Sequence, residues 1–367
     1  MEKIWANSGD SHFVEPTDLW TKNLPPHLAE RMPRQVIEGE FELVYVDGEV
    51  MKRVAPTPAR KKVMELSAAA PGARDVKERM KDLDQEGIWG EVVYPSLGMW
   101  QLLIKDPKLI REANMVLNDW ALSEIQGYSP RLVCTACVSM RSIEDAVAET
   151  HRAAGKGFRA IFLPTRPPDG QQPYHREYWE PLWAAAEEAG MVLAFHIGTD
   201  SANQVMYQGP GGAVLNYVET TYGGQRVTTQ LVASGALDRH PKLKVLISEG
   251  GATWAPFLGD RMNEAYRQHP MFVKPKLSML PKEYIYRQVY ASFQHDESAI
   301  PAVTAMGYRN VMWGSDYPHL EGTYGHTQET LQGLFDGVTP EVRDRVLFGA
   351  FEELFPNVGR PPAAKAA

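Results

Sequence analysis

Asp10-Ser11-His12 places two metal-capable side chains two residues apart, at the end of a short β-like run. Alternation along a strand would send both to the same side. One offers a hard oxygen and the other an imidazole, a combination suited to Zn2+, Mn2+ or Fe2+. Three more ionisable residues end apolar runs in the same manner. His196 follows Val192-Leu193-Ala194-Phe195, Glu249 follows Val245-Leu246-Ile247-Ser248, and Asp316 follows Val311-Met312-Trp313-Gly314-Ser315. An ionisable group delivered by a buried strand must be paired, hydrogen-bonded or metal-bound. Residues this far apart in sequence meet only if the strands close into a barrel, where strand eight lies beside strand one.

The elements needed for that closure are legible. Eight runs rich in Val, Ile, Leu and aromatics read as strands, at about 4–10, 89–95, 132–139, 158–163, 191–197, 243–249, 288–294 and 310–316. Helical periodicity fills most gaps; Leu109, Ile110, Ala113, Val116, Leu117 and Trp120 form one apolar stripe. Strand–helix alternation repeated eight times predicts an α/β fold, a (β/α)8 TIM barrel with its active site at the C-terminal strand ends. One barrel domain is expected over 1–358, with a disordered tail at 359–367. Two insertions break the rhythm, about 21–80 after strand one and about 199–221 after strand five. Both leave from the catalytic rim and are lid candidates. The first should contain a hairpin, Phe41 to Tyr45 turning at Asp47-Gly48.

Composition excludes several function classes. Net charge is −8, and the only basic run is Arg60-Lys61-Lys62, so nucleic acid is not an expected partner. No apolar run approaches the ~18 residues of a membrane span, and no signal-peptide core opens the chain. A cytoplasmic location is expected. Cys134 and Cys137 form a C-x-x-C with no second pair to complete a zinc site, inside an apolar run that reads as a buried strand. Arg79 is expected on a solvated basic face.

Asp10-Ser11-His12-Phe13-Val14-Glu15-Pro16, Phe195-His196-Ile197-Gly198, Asp238-Arg239-His240-Pro241 and Trp313-Gly314-Ser315-Asp316-Tyr317-Pro318-His319 together resemble the amidohydrolase-related family. This is the branch of the amidohydrolase superfamily that contains aminocarboxymuconate-semialdehyde decarboxylase. The resemblance implies that Asp10, His12, His196 and Asp316 bind one divalent metal ion, and that the chain is a homodimer. No lysine ends strand four, so the carboxylated-lysine bridge of binuclear relatives is not expected. The decarboxylases of this branch usually carry a His where Glu249 stands.

The expected activity is metal-dependent hydrolysis, or non-oxidative decarboxylation, of a small carbonyl- or carboxylate-bearing substrate of aromatic or cyclic character. Asp316 and Glu249 are the catalytic candidates. His319, Tyr94, Trp100 and Tyr317 are the substrate-binding candidates. The alternative is a dinuclear iron or manganese oxygenase, with Glu249 and His295 as ligands of a second ion.

Overall fold

The computed structural model describes residues 3–39, 41–54, 58, 61–62, 65, 70–96, 102–200 and 206–362. Twelve strands occur among these residues: β1 (Ala6–Ser8), β2 (His12–Phe13), β3 (Arg34–Glu38), β4 (Phe41–Val46), β5 (Glu49–Val54), β6 (Ile88–Pro95), β7 (Leu132–Cys137), β8 (Ala160–Pro164), β9 (Val192–His196), β10 (Val245–Ser248), β11 (Val289–Phe293) and β12 (Val311–Trp313). The order β1-β6-β7-β8-β9-β10-β11-β12 is parallel throughout, a (β/α)8 barrel whose eight strands each overlap one of the eight predicted runs.

Strand alternation sorts the barrel's apolar side chains. On β9, Leu193 and Phe195 join the cluster that includes helix residues Leu182 and Trp183, whereas Val192 and Ala194 join the cluster of Ala160, Phe162, Leu246 and Met312. The first set therefore packs under the helices and the second fills the barrel. His196 shares the inward parity of Val192 and Ala194, which aims its ring into the barrel mouth.

Closure runs through hydrogen bonds past the strand ends. Gly9 N–H donates to Trp313 O (2.9 Å), Asp316 N–H to Asp10 O (3.1 Å) and His12 N–H to Tyr317 O (2.6 Å). Gly314 permits this approach, because a Cβ there would lie 3.0 Å from Asp10 Cβ. The first strand departs from simple alternation. Ser8 pairs with Glu91 and His12 with Tyr94, so four residues of advance on one chain face three on the other. This bulge, with Asp10 inside it, re-aims the Asp10 side chain.

In the first insertion β3, β4 and β5 form an antiparallel meander, and the expected turn at Asp47-Gly48 is present with both residues left-handed (φ 54° and 82°). Helix Val76–Glu86 follows, capped by the Asp75 carboxylate on Lys77 and Glu78 N–H and ended by left-handed Gly87. It carries Arg79 inward, not onto a solvated face. Arg79 is fully buried, pairs with Glu91 through Nε (2.5 Å) and donates to His12 O (2.8 Å). Arg79→Met would strand Glu91 as an uncompensated buried charge. The expected loss is about 3–5 kcal/mol of unfolding free energy by denaturant titration; under about 1 kcal/mol would show that the pair is dispensable.

Cys134 and Cys137 form no disulfide and are buried, split between the two apolar clusters, as opposite strand faces require. Burial pushes the Cys134 thiol up to about 12, so it is unreactive at neutral pH. Among the described residues no helix is long and apolar enough to cross a membrane.

Candidate metal centre

Six ionisable side chains converge at the C-terminal mouth of the barrel. Ligand atoms of Asp10, His12 and His196, of His12, Asp316 and His319, and of Asp10, Glu249 and Asp316 form three groups, each within 4.8 Å. His12 Nε2 lies 3.0 Å from His196 Nε2 and 3.5 Å from Asp316 Oδ1. Asp10 Oδ1 lies 3.3 Å from His196 Nε2 and 3.8 Å from His12 Nε2. Ligands at about 2.1 Å from one ion stand roughly 3.0–3.5 Å apart in tetrahedral or octahedral arrangements. The spacings fit one shared ion.

The polar accounting agrees. Both carboxylate oxygens of Asp10 and of Asp316 are buried without a hydrogen bond. Burying such groups unpaired is costly, and a cation is the partner that would offset it. His196 Nδ1 donates to Ile197 O (2.8 Å), which in the neutral ring makes Nε2, 3.0 Å from His12 Nε2, the lone-pair nitrogen that faces the cluster. His12 is held neutral: burial, then the His319, His196 and Arg79 charges, lower it well below the usual range. The residues present therefore fit a divalent ion.

Without a cation the cluster collects protons instead. Burial and then the neighbouring Asp316 charge raise Glu249 well above the carboxylate range, and burial and then Asp10 do the same to Asp316. Burial opposes protonation of His196, yet Asp10 and Glu249 bring it up to about 10. A bound cation would displace these protons, which couples binding to proton release.

Local backbone strain marks the same two carboxylates. Glu249 (φ 64°) and Asp316 (φ 52°) are left-handed, a conformation that costs a side-chain-bearing residue roughly 1–2 kcal/mol. Ser292 Oγ accepts the Glu249 N–H (3.0 Å), and the closing seam holds Asp316. Strain retained in this way is typical of functional positions.

Glu249 Oε2 sits 3.6 Å from His196 Nε2, and Arg261 pairs with Glu264 instead of Glu249. His319 stacks on His12 with centroids 4.1 Å apart and brings Nδ1 to 2.8 Å from Asp316 Oδ1. Three other candidates are placed elsewhere. His295 is exposed and bound to Glu321 O (3.1 Å), outside the cluster. Tyr94 is fully buried beneath the site, its hydroxyl 2.7 Å from Ser248 Oγ and its ring edge-on to His196. Tyr317 turns away under Arg79 and donates to Asp82 (2.5 Å), so neither tyrosine reaches the substrate side. Trp100 lies outside the described residues.

A cleft of about 480 Å3 opens over the cluster. Helix Gly212–Thr220, from the second insertion, lines it with Ala213, Asn216, Tyr217 and Thr220; Ser96 and Glu321 complete its polar wall. Sequence reasoning missed this helix. Its signal was Asn216, Tyr217 and Thr220 at helical spacing behind Gly211-Gly212.

Comparison with known proteins supplies a family. The model of the amidohydrolase family matches residues 91–356. No curated protein matches the sequence. A solved amidohydrolase from Mycobacterium avium subsp. paratuberculosis superposes with TM-score 0.79 at 20% identity, covering 97% of this chain and 100% of the other. The 2,6-dihydroxybenzoate decarboxylase from Rhizobium gives TM-score 0.68 at 16% identity over 97% and 100%. The 5-carboxyvanillate decarboxylase from Novosphingobium aromaticivorans, solved with bound manganese and 3-methoxy-4-hydroxy-5-nitrobenzoic acid, gives 0.69 at 17% over 96% and 97%.

Proposed function

The chain belongs to the amidohydrolase family, and from that premise we propose that it is a divalent-metal-dependent hydrolase acting beside a carbonyl of a small, aromatic or cyclic substrate. The observation that carries this reading is the pair of buried carboxylates, Asp10 and Asp316, facing the ring nitrogens of His12, His196 and His319 at 2.8–3.8 Å. Asp10, His12, His196 and Asp316 would hold one ion. Bound there, it would polarise the substrate carbonyl and make water acidic enough to attack at neutral pH. Glu249 would take the proton of the attacking water at Oε2 and return it to the leaving group. His319 would orient the substrate oxygen from the open side of Asp316.

Manganese is the first ion to test, because a neighbouring fold is solved with it. The mixed oxygen and nitrogen set accommodates it. Decarboxylation is the second reading, favoured by the aromatic-acid decarboxylases among the structural neighbours. Nothing in the comparisons or the site geometry favours the oxygenase alternative, and His295 stands apart from Glu249.

Chelated protein reloaded with manganese and offered aryl amides, esters, lactones and hydroxybenzoic acids separates the readings. We expect hydrolysis products, lost on chelation and restored by manganese. Release of carbon dioxide with no hydrolysis would favour decarboxylation, and turnover insensitive to chelation would contradict both.

A further inference from the structure

The charge pattern of the cleft restricts what can occupy it. Beyond the proposed ligands and His319, its wall carries two carboxylates, Glu249 and Glu321, among neutral Ser96, Asn216, Tyr217 and Thr220. No lysine or arginine lines it among the described residues. Two nearby cations are engaged elsewhere: Arg226 pairs with Asp200 (3.1 Å), and Arg79 with Glu91.

A divalent ion would offset the Asp10 and Asp316 charges and leave Glu249 and Glu321 uncompensated. Glu321 and Tyr217 line the same cleft, and burial first, then Glu249 and Glu321, push the Tyr217 hydroxyl up to about 12.

We propose that this cleft admits substrates that are neutral or cationic away from the metal and rejects those with a second negative charge, with Glu321 as the residue that sets the selection. The proposal rests on the metal-centre reading and deepens it. An aromatic acid bound through one anionic group finds no lysine or arginine among the described wall residues for another. A neutral amide, ester or lactone meets hydrogen-bonding groups at Asn216, Tyr217 and Thr220 and no repulsion. A positively charged substituent meets Glu321. Low-dielectric walls around a single sign of charge strengthen such discrimination.

A matched pair of probes tests this on manganese-loaded full-length protein: 4-(aminomethyl)benzohydroxamic acid and 4-carboxybenzohydroxamic acid, which share one chelating head and differ in remote charge. Binding is read by calorimetry. We expect the amine to bind at least roughly ten-fold more tightly than the carboxylate, Glu321→Gln to shrink that ratio, and Glu321→Lys to invert it. Equal or tighter binding of the carboxylate by the wild type, or an unchanged ratio in Glu321→Gln, would overturn the proposal while leaving the metal centre standing. Failure of the protein to take up manganese would overturn the metal reading and this proposal with it.

Discussion

Asp316→Asn is expected to abolish ion binding and cut turnover about a thousand-fold, while the chelated variant unfolds at the same temperature as chelated wild type or above it. Both parts follow from one geometry. Asp316 is fully buried, with Oδ1 3.5 Å from His12 Nε2 and 2.8 Å from His319 Nδ1. Several kcal/mol of charge stabilisation at the reacting centre corresponds to about three decades in rate, at 1.36 kcal/mol per decade. In the metal-free protein burial, and then the Asp10 charge, raise its pKa well above the carboxylate range, so the charged form is disfavoured there. A neutral amide of the same shape removes that penalty, and Asn tolerates the left-handed backbone at φ 52°. Turnover by the variant and thermal unfolding of both chelated proteins check the two halves. A chelated variant several degrees less stable than chelated wild type would assign Asp316 a structural role instead.

Glu249→Gln carries the second largest expected effect, a fall in kcat of about 10^2–10^4-fold with KM little changed and the ion retained. Glu249 approaches the cluster through His196 (3.6 Å) and lies on the cleft wall, whereas Asp10 and Asp316 supply the orphaned oxygens nearest the imidazoles. Gln preserves shape and hydrogen bonding but cannot carry a proton. Steady-state kinetics together with metal content decide the case. Loss of the ion would make Glu249 a ligand, and unchanged kcat would remove it from the chemistry.

Much of this site was legible because a barrel converts sequence distance into proximity. His196, Glu249 and Asp316 each end an apolar run, and burial of such a run leaves its terminal ionisable group at the mouth. His295 shows how parity should have been used. Tyr290 and Ser292 face inward, so Gln294 continues that face beside Asp316, and His295 points out. Tyr317 was unreadable for a different reason. It follows left-handed Asp316, where the chain leaves the strand and alternation no longer predicts direction. Tyr94 has the inward parity expected of it, yet Ser248 caps its hydroxyl below the cluster. The bulge at Asp10 arises from pairing with β6, which no local pattern announces. Arg79 reads as a surface cation in a polar helix, and only the packing of that helix against Glu91 reverses it. The glycine-rich stretch Gly209-Pro210-Gly211-Gly212 inside the second insertion likewise concealed the helix that walls the cleft.

The most direct test of the central claim is the metal content of the protein reloaded with manganese and freed of excess, measured beside Asp316→Asn. The geometry predicts one ion per wild-type chain and none in the variant. An empty wild type, two ions per chain, or an ion retained without Asp316 would contradict it.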